Sequence, residues 1–175
     1  IAVMCVGSGI ELAKNFYKRI RPNITPAKIN IFKRFGTAMI KFNNYNIEFV
    51  GARKESYSND SRKPSIEEGT FLDDMLRRDF TINTLAIRLN KNYFGELIDT
   101  FGGIDDIDKG IIKTPSDPNK TFSDDPLRML RAIRFSCELN FDIDMDTQNS
   151  IKKNSNRLEI LSSERISDEI NKILM

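Results

Sequence analysis

Two arginines and an aspartate stand side by side in "LRRDFTINTL", residues 76–85. Arginine side chains offer only hydrogen-bond donors, whereas an ionised aspartate offers only acceptors. A solvent-exposed helix would spread such charges along its face, and a core segment would not carry them. Because the apolar Phe80 and Ile82 follow at once, the run is typical of neither, and it is the first candidate for a functional site.

A second group of charged residues lies in "FSDDPLRMLRAIRF", residues 122–135. Acid and N-cap residue types followed by Pro126 predict the start of a helix here. Asp125 and Arg128 are three residues apart and would share one face of that helix, and Arg131 and Arg134 continue the spacing. One interpretation is a surface ion pair that contributes about 0.5 kcal/mol.

The alternative interpretation is that Asp125 and Arg128 read a nucleotide base. Cytosine and adenine each present an amino donor beside a ring-nitrogen acceptor on their pairing edge, whereas guanine and uracil present the reverse pattern. An aspartate accepts and an arginine donates, so together they complement cytosine and adenine. The sequence alone leaves both interpretations open.

Glu48 is a carboxylate in the middle of a predicted strand, residues 45–50. Ile47 and Phe49 would point to one face of that strand and Glu48 to the other. The simpler interpretation is a glutamate at a sheet edge that faces water. The alternative is a magnesium ligand, since Mg²⁺ prefers carboxylate oxygens and joins them to substrate phosphates.

The amino-acid composition limits the classes of function that the protein could have. The chain has 175 residues and a net charge of +2, so any nucleic-acid contact must come from local clusters of Lys and Arg. It has no histidine, which excludes Ser–His and Cys–His catalysis and leaves acid–base or metal chemistry to carboxylates. No apolar run reaches the roughly 20 residues that span a membrane. Cys5 and Cys137 stand far apart in apolar surroundings, which predicts buried thiols of a reducing compartment, the cytoplasm.

The order of hydrophobic patterns predicts an α+β fold. Residues 1–6 predict a buried strand followed by a helix from Gly9, and the polar stretch 54–69 predicts a mobile loop. We expect a domain of strands and helices over residues 1–115 and an all-helical domain over 116–175. Further strands are predicted at 28–35, 37–43 and 45–50, a hairpin at 85–90 and 94–98, and helices at 71–77, 123–139, 147–153 and 163–174.

Several stretches together resemble one known family. "RRDFTINTLAI" (77–87), "DTFGGIDDIDKGIIKTP" (99–115), "FSDDPLRMLRAIRF" (122–135) and "SSERISDEINKIL" (162–174) are similar to successive motifs of the class II tRNA nucleotidyltransferases. These CCA-adding enzymes share a head domain with bacterial poly(A) polymerases. "EFVGARKESY" (48–57) resembles the active-site strand of that head.

The resemblance implies a polymerase-β-type nucleotidyltransferase head, a mixed sheet with helices, followed by a helical neck. It implies template-independent transfer of CMP and AMP from CTP and ATP to the 3′ end of tRNA, with Mg²⁺ as cofactor. Arg78 and Asp79 would contact the triphosphate and ribose and, with Glu48, form the catalytic set. Glu48 would also hold metal. The nucleotide-binding set would be Arg77, Arg78, Asp79, Asn83, Asp125, Arg128, Arg131 and Arg134.

One departure from the family matters for the metal. The family places an Asp-x-Asp, its principal metal ligands, ahead of the strand that corresponds to residues 1–6, so we expect this chain to be a fragment without transferase activity. Two alternatives remain open: a poly(A) polymerase of the same superfamily, and a non-catalytic nucleotide- or RNA-binding remnant. The oligomeric state cannot be predicted from the sequence.

Overall fold

The computed structural model of the chain describes residues 1–24, 26–58 and 61–174, and the side chains of 56–64 lie outside its description. The chain divides into two compact units. Unit 1 comprises Ile1–Ser56 with Ser65–Asp74, and unit 2 comprises Tyr57–Pro64 with Met75–Met175. The predicted boundary near residue 115 stays a prediction.

The α+β fold class predicted from the sequence is confirmed by the elements of both units. The strands are β1 (Ala2–Cys5), β2 (Ala27–Phe32), β3 (Thr37–Phe42), β4 (Tyr45–Gly51), β5 (Arg53–Ser58), β6 (Ser61–Glu68), β7 (Ala86–Ile87), β8 (Leu97–Ile98), β9 (Ile111–Ile112) and β10 (Asp142–Ile143). The helices are α1 (Gly9–Ile20), α2 (Phe71–Leu76), α3 (Gly103–Lys109), α4 (Pro118–Asp124), α5 (Leu127–Leu139), α6 (Met145–Asn154) and α7 (Ser163–Leu174). In the described part of the chain, none of the helices has the length and hydrophobicity that a membrane crossing requires.

Unit 1 is built on a four-stranded sheet in the order β1-β4-β3-β2. β1 runs parallel to β4, and the other neighbours are antiparallel. Side chains alternate between the two faces of a strand, so Ile40 and Phe49 point to the same face, where they pack against α1 in a core centred on Ala13. Phe16 of α1 lies 5.4 Å from the Phe49 ring, between centroids.

The start of α1 follows from two small residues. The side chain of Ser8 accepts a hydrogen bond from the backbone N–H of Glu11 at 3.2 Å, which is the usual N-cap interaction. At Gly9 a Cβ atom would lie 2.6 Å from the carbonyl carbon of Val50. Glycine is therefore required where the helix crosses the end of β4.

The core of unit 2 joins residues 76–85, which we call the arginine segment, to the helices that follow it. Its fully buried members include Phe80, Ile112, Phe122 and Met129. Phe80 meets Phe135 of α5 edge to face, with ring centroids 5.8 Å apart. The hydrophobic effect therefore fixes α5 and the segment that carries Arg77, Arg78 and Asp79 relative to each other.

The secondary structure differs from expectation at several places in the chain. Most of the polar stretch 54–69, predicted as a mobile loop, forms β5 and β6, which pair with each other in a two-stranded sheet through backbone hydrogen bonds that polar composition does not reveal. Helix α3 was missed because its seven residues are too few for a clear apolar period. No strand was predicted between residues 139 and 147, yet β10 lies there and pairs in parallel with β9.

The two cysteines also differ from expectation. Neither forms a disulfide; Cys5 is half-buried, and Cys137 is exposed rather than buried. Cys137 lies near the C-terminal end of α5, whereas the buried residues of that helix are Met129 and Ala132. Burial raises the pKa of the Cys5 thiol, which keeps it protonated and unreactive near neutral pH.

Candidate nucleotide-binding site

The candidate site begins at Asp79, whose two carboxylate oxygens are both engaged within unit 2. Oδ1 accepts hydrogen bonds from the backbone N–H of Phe80 at 3.0 Å and from the amide of Asn83 at 2.9 Å. Oδ2 accepts from Nε and Nη2 of Arg131 at 2.8 and 2.6 Å. Asp79 is 8% exposed, so the pair is held in a partly dehydrated place where charge–charge attraction is stronger than in water.

Arg131 is therefore a positioned cation. Its guanidinium carbon lies 5.0 Å from the centroid of the Phe135 ring, within the range of a cation–π contact. Its side chain is still 32% exposed. A guanidinium that is fixed by a carboxylate and a ring on one side can present its remaining N–H donors on the other.

The two consecutive arginines are tied to the backbone around them. Nη1 of Arg78 donates to the carbonyl oxygen of Asn83 at 2.9 Å, which closes the turn that follows Phe80. The carbonyl oxygen of Arg77 accepts from Nη2 of Arg128 at 2.6 Å. Arg128 of α5 and the arginine segment, far apart in sequence, are therefore brought together.

The predicted helix over residues 123–139 is not continuous. It is two helices, α4 and α5, and Asp125 lies between them in an extended conformation, with φ −140° and ψ 98°. A proline disfavours the α conformation in the residue before it, so Pro126 ends α4 at Asp124. Asp125 and Arg128 thus do not share a helix face, and that part of the prediction was wrong.

Asp125 and Arg128 are nevertheless joined by the first turn of α5. The backbone N–H of Arg128 donates to the carbonyl oxygen of Asp125 at 3.1 Å. Oδ1 of Asp125 accepts from the N–H of Leu127 at 3.3 Å, so the carboxylate caps the helix. Both side chains are half-buried. The structure therefore keeps an acceptor and a donor together at the N-terminus of α5.

Arg134 also lies over the Phe135 ring, at 4.3 Å, but its carboxylate partners differ from that of Arg131. Its Nε donates to Oε2 of Glu169 on α7 at 2.7 Å, and its Nη1 donates to Glu138 at 2.9 Å. Its side chain is 11% exposed. These contacts assign Arg134 to the joint between α5 and α7, and its predicted role in nucleotide binding stays a prediction.

Glu48 belongs to unit 1, where it is exposed on the sheet face that α1 does not cover. Its neighbours in the register are Ala2 on β1 and Met39 on β3. Among the described residues there is no group of three carboxylate, cysteine or histidine side chains that could hold a metal ion. Glu48 alone supplies a single carboxylate, so the described residues do not form a complete Mg²⁺ site.

Sequence reasoning missed Arg157, which contacts the end of α4 next to Asp125. Its Nη2 donates to the carbonyl oxygen of Ser123 at 2.9 Å. The bond holds the last turn of α4 just before Asp125. The two residues are 34 positions apart in the sequence, and nothing in the local pattern around Arg157 indicates their contact.

Comparison with known proteins identifies the relatives of this chain. A family model described as "Poly A polymerase head domain" matches residues 3–113, and one described as "Probable RNA and SrmB- binding site of polymerase A" matches residues 140–175. The chain is 39% identical, over 84% of its length, to an A-adding tRNA nucleotidyltransferase of Aquifex aeolicus, of which it covers 17%. It is 42% identical, over 80% of its length, to a CCA-adding enzyme of Limosilactobacillus reuteri, of which it covers 34%.

Solved structures give the same result. A CCA-adding enzyme in an apo form matches 99% of the chain with a TM-score of 0.88 and 35% identity, and the chain covers 40% of it. A tRNA nucleotidyltransferase in complex with a primer tRNA and an incoming ATP analogue matches 99% of the chain with a TM-score of 0.81 and 32% identity. The chain covers 49% of that protein, so it spans less than half of the relatives described here.

Proposed function

Since the chain belongs to the family described as the poly A polymerase head domain, we propose that it forms part of a tRNA nucleotidyltransferase. The complete protein would transfer CMP and AMP from CTP and ATP to the 3′ end of tRNA. The observation that carries this proposal is the placement, at the N-terminus of α5, of the Asp125 carboxylate, an acceptor, close in the chain to the Arg128 guanidinium, a donor.

Base selection is the task of Asp125 and Arg128. The carboxylate of Asp125 accepts from the amino group of cytosine or adenine, and Arg128 donates to the neighbouring ring nitrogen. The contact of Arg128 with the Arg77 carbonyl fixes its guanidinium before the nucleotide arrives, which lowers the entropy lost on binding. Uracil and guanine would place a carbonyl against the carboxylate and are therefore rejected.

Binding of the triphosphate is assigned to the arginine segment together with Arg131. Arg77, Arg78 and Arg131 supply guanidinium groups, which suit the several oxygens of a phosphate chain. Asp79 contributes mainly by holding Arg131 and Asn83, since both of its oxygens are already engaged. Arg131 and Asn83 can then offer their remaining donors to the nucleotide.

Mg²⁺ is proposed as the cofactor of the complete protein, with Glu48 as one ligand. A bound metal would neutralise phosphate charge and orient the reacting oxygens. The described residues do not complete its site. The cytoplasm is the proposed compartment, because both nucleotides and tRNA are available there.

A poly(A) polymerase is the second candidate, and the description of the matched head domain favours it. The two activities differ in their nucleotides: a poly(A) polymerase uses ATP alone, whereas CCA addition needs CTP and ATP. They also differ in the RNA, since CCA addition requires a tRNA acceptor end.

The test is single-nucleotide extension by the complete protein. We expect a tRNA transcript that lacks its three terminal nucleotides to gain two residues with CTP alone and a third when ATP is added. UTP and GTP should give no product. Repeated addition of AMP to an unstructured RNA, without use of CTP, would replace the proposal with the poly(A) polymerase.

A further inference from the structure

Two lysines face each other across neighbouring strands of unit 1. Lys28 of β2 is directly opposite Lys41 of β3 in the antiparallel register, and both are exposed. Directly opposed side chains have Cβ atoms about 5 Å apart, and like charges in that position destabilise a sheet. Within the described part of the chain, neither lysine forms an ion pair that would offset the repulsion.

The two lysines lie on the sheet face that also carries Glu48. Lys41 pairs in the register with Asn46 of β4, and Glu48 is two residues further along that strand. Residues two apart on a strand share a face. The opposite face is formed by Ile29, Ile40 and its neighbours, which pack against α1.

Two amides complete a set of donors around the lysines. Asn46 lies beside Lys41, and Asn30 follows Lys28 on the same face of β2. Both asparagines are exposed, and each can donate two hydrogen bonds from its amide nitrogen. We call Lys28, Asn30, Lys41 and Asn46 the basic patch.

We propose that the basic patch binds the phosphate backbone of the RNA strand whose 3′ end is extended. The inference rests on the proposed function, which requires two polyanions, a nucleoside triphosphate and an RNA. The triphosphate has its cations in the arginine segment of unit 2. In the proposed function Glu48 is one metal ligand of the transfer site, so the RNA end has to come close to it, and the basic patch supplies cations on the same face of the sheet as Glu48.

Phosphate binding would offset the repulsion between Lys28 and Lys41. Lysines that repel each other in the free protein gain when phosphate groups lie between them, because Lys–phosphate contacts release the counterions of the RNA. The amides add direction to the contact without adding charge. Sequence readout is absent from such contacts, which position the strand rather than select it.

The experiment measures the affinity of the complete protein for a tRNA transcript that lacks its three terminal nucleotides. Binding is followed without nucleotide and without divalent metal, over a range of salt concentrations. The variants are Lys28→Thr, Lys41→Thr and the double variant. Threonine suits a strand, so the sheet is kept.

The matched control is Lys14→Gln. Lys14 is an exposed lysine of α1, on the opposite side of the same sheet, and it is already paired with Glu11 at 2.7 Å. It removes the same charge from unit 1 without touching the patch. We expect the control to leave the dissociation constant for tRNA within about twofold of the parent.

The expected result is a loss of affinity that depends on salt. Each lysine should lower the slope of log K against log [salt] by about 0.7 to 0.9, the value for one phosphate contact. The double variant should bind tRNA about tenfold or more weakly at low salt, and the KM values for CTP and ATP should stay unchanged. Its melting temperature should equal or exceed that of the parent, since a repulsive pair is gone.

Two results would overturn the inference. One is an unchanged salt slope in the double variant, and the other is a loss of the same size in Lys14→Gln, which would mean that only overall charge matters. Failure of the proposed function gives a different signature. In that case CMP and AMP are not incorporated into tRNA, whereas the binding assay still reports whether the patch holds RNA.

Discussion

Asp79 and Arg131 could be predicted as site residues from their types, but their contact with each other could not. Both residues were predicted from the sequence to bind nucleotide, and the structure brings them together in a bidentate contact at one oxygen of Asp79. The sequence could not predict that contact, because 52 residues separate the partners. The types of the site residues were therefore predictable, but the division between residues that touch a ligand and residues that hold others was not.

The pair at the start of α5 provides the test of base selection at the residue scale. Asp125→Ala removes the acceptor for the amino group of the base, and Arg128→Ala removes the donor to the ring nitrogen. Each unsatisfied polar group in a closed pocket costs about 1–3 kcal/mol. We expect CTP and ATP use to fall by about fivefold to 100-fold, and the rejection of UTP and GTP to weaken, in single-nucleotide extension.

Lys120→Ala serves as the control for these variants. Lys120 forms an exposed ion pair with Asp124 in α4, one residue before Asp125. Its loss should leave the choice of base unchanged, because an exposed pair contributes under about 1 kcal/mol. If both Asp125→Ala and Arg128→Ala kept the parent's preference for C and A, these residues would have no part in selection.

At the scale of elements, the helix break at Pro126 contrasts with other helices whose ends follow directly from the sequence. Placing Pro126 inside the first turn of one helix ignored the restriction that a proline imposes on the residue before it. Helices α1, α6 and α7, in contrast, have clear apolar faces or caps. Helix α1 begins at Gly9 as predicted, and the predicted ranges of α6 and α7 agree with the structure within about two residues. Short elements such as α3 and β9 depend on tertiary contacts and could not be read from periodicity.

The joint between α5 and α7 gives a second prediction, at the scale of elements. Glu169 is 4% exposed and accepts from both Arg134 and Lys172. Glu169→Ala would leave Glu138 as the remaining carboxylate partner of the Arg134 guanidinium, whose side chain is 11% exposed. We expect the free energy of unfolding to fall by about 2 kcal/mol, since hydrogen bonds to charged groups contribute roughly 1.5–3 kcal/mol. Urea denaturation measures the change.

Glu138→Ala is the matched control, since Glu138 binds the same arginine but has a side chain that is 39% exposed. Solvent screens that pair, so its loss should lower the free energy of unfolding by under about 1 kcal/mol. Equal effects of the two variants would mean that burial at α7 adds nothing to the Arg134–Glu169 contact.

For the whole molecule, the sequence predicted a sheet-containing part followed by a helical part, and this order is present. Unit 1 holds the α1-covered sheet, and α4 to α7 follow in unit 2. The structure, however, groups the arginine segment with the helices rather than with the sheet. The contacts responsible are Phe80 with Phe135 and Asp79 with Arg131, which link distant parts of the sequence and leave no local signature.

Carboxylates in both units make the stability of the whole molecule sensitive to acid. Burial raises the pKa of Glu169, but its hydrogen bonds from Arg134 and Lys172 outweigh this and hold the pKa below its usual range. Burial likewise raises the pKa of Asp99, and the backbone N–H groups of α3, above all those of Ile104 and Gly103, lower it further than burial raises it. In unit 1 the hydroxyl and N–H of Thr70 lower the pKa of Asp73.

A pKa that is lower in the folded protein than in the unfolded chain contributes stability above the unfolded pKa, and that stability is lost as pH falls through the folded pKa. The unfolded values lie near about 4 for Asp and Glu. We therefore expect the melting temperature to be steady near neutral pH and to fall progressively below about pH 5. Asp99→Asn with Glu169→Gln keeps the shapes but removes two titrating groups. This variant should melt lower at pH 7 and lose less on going to pH 3, because part of the acid-sensitive stability is already gone. Parallel melting curves for parent and variant across that range would show that these two carboxylates do not set the acid response.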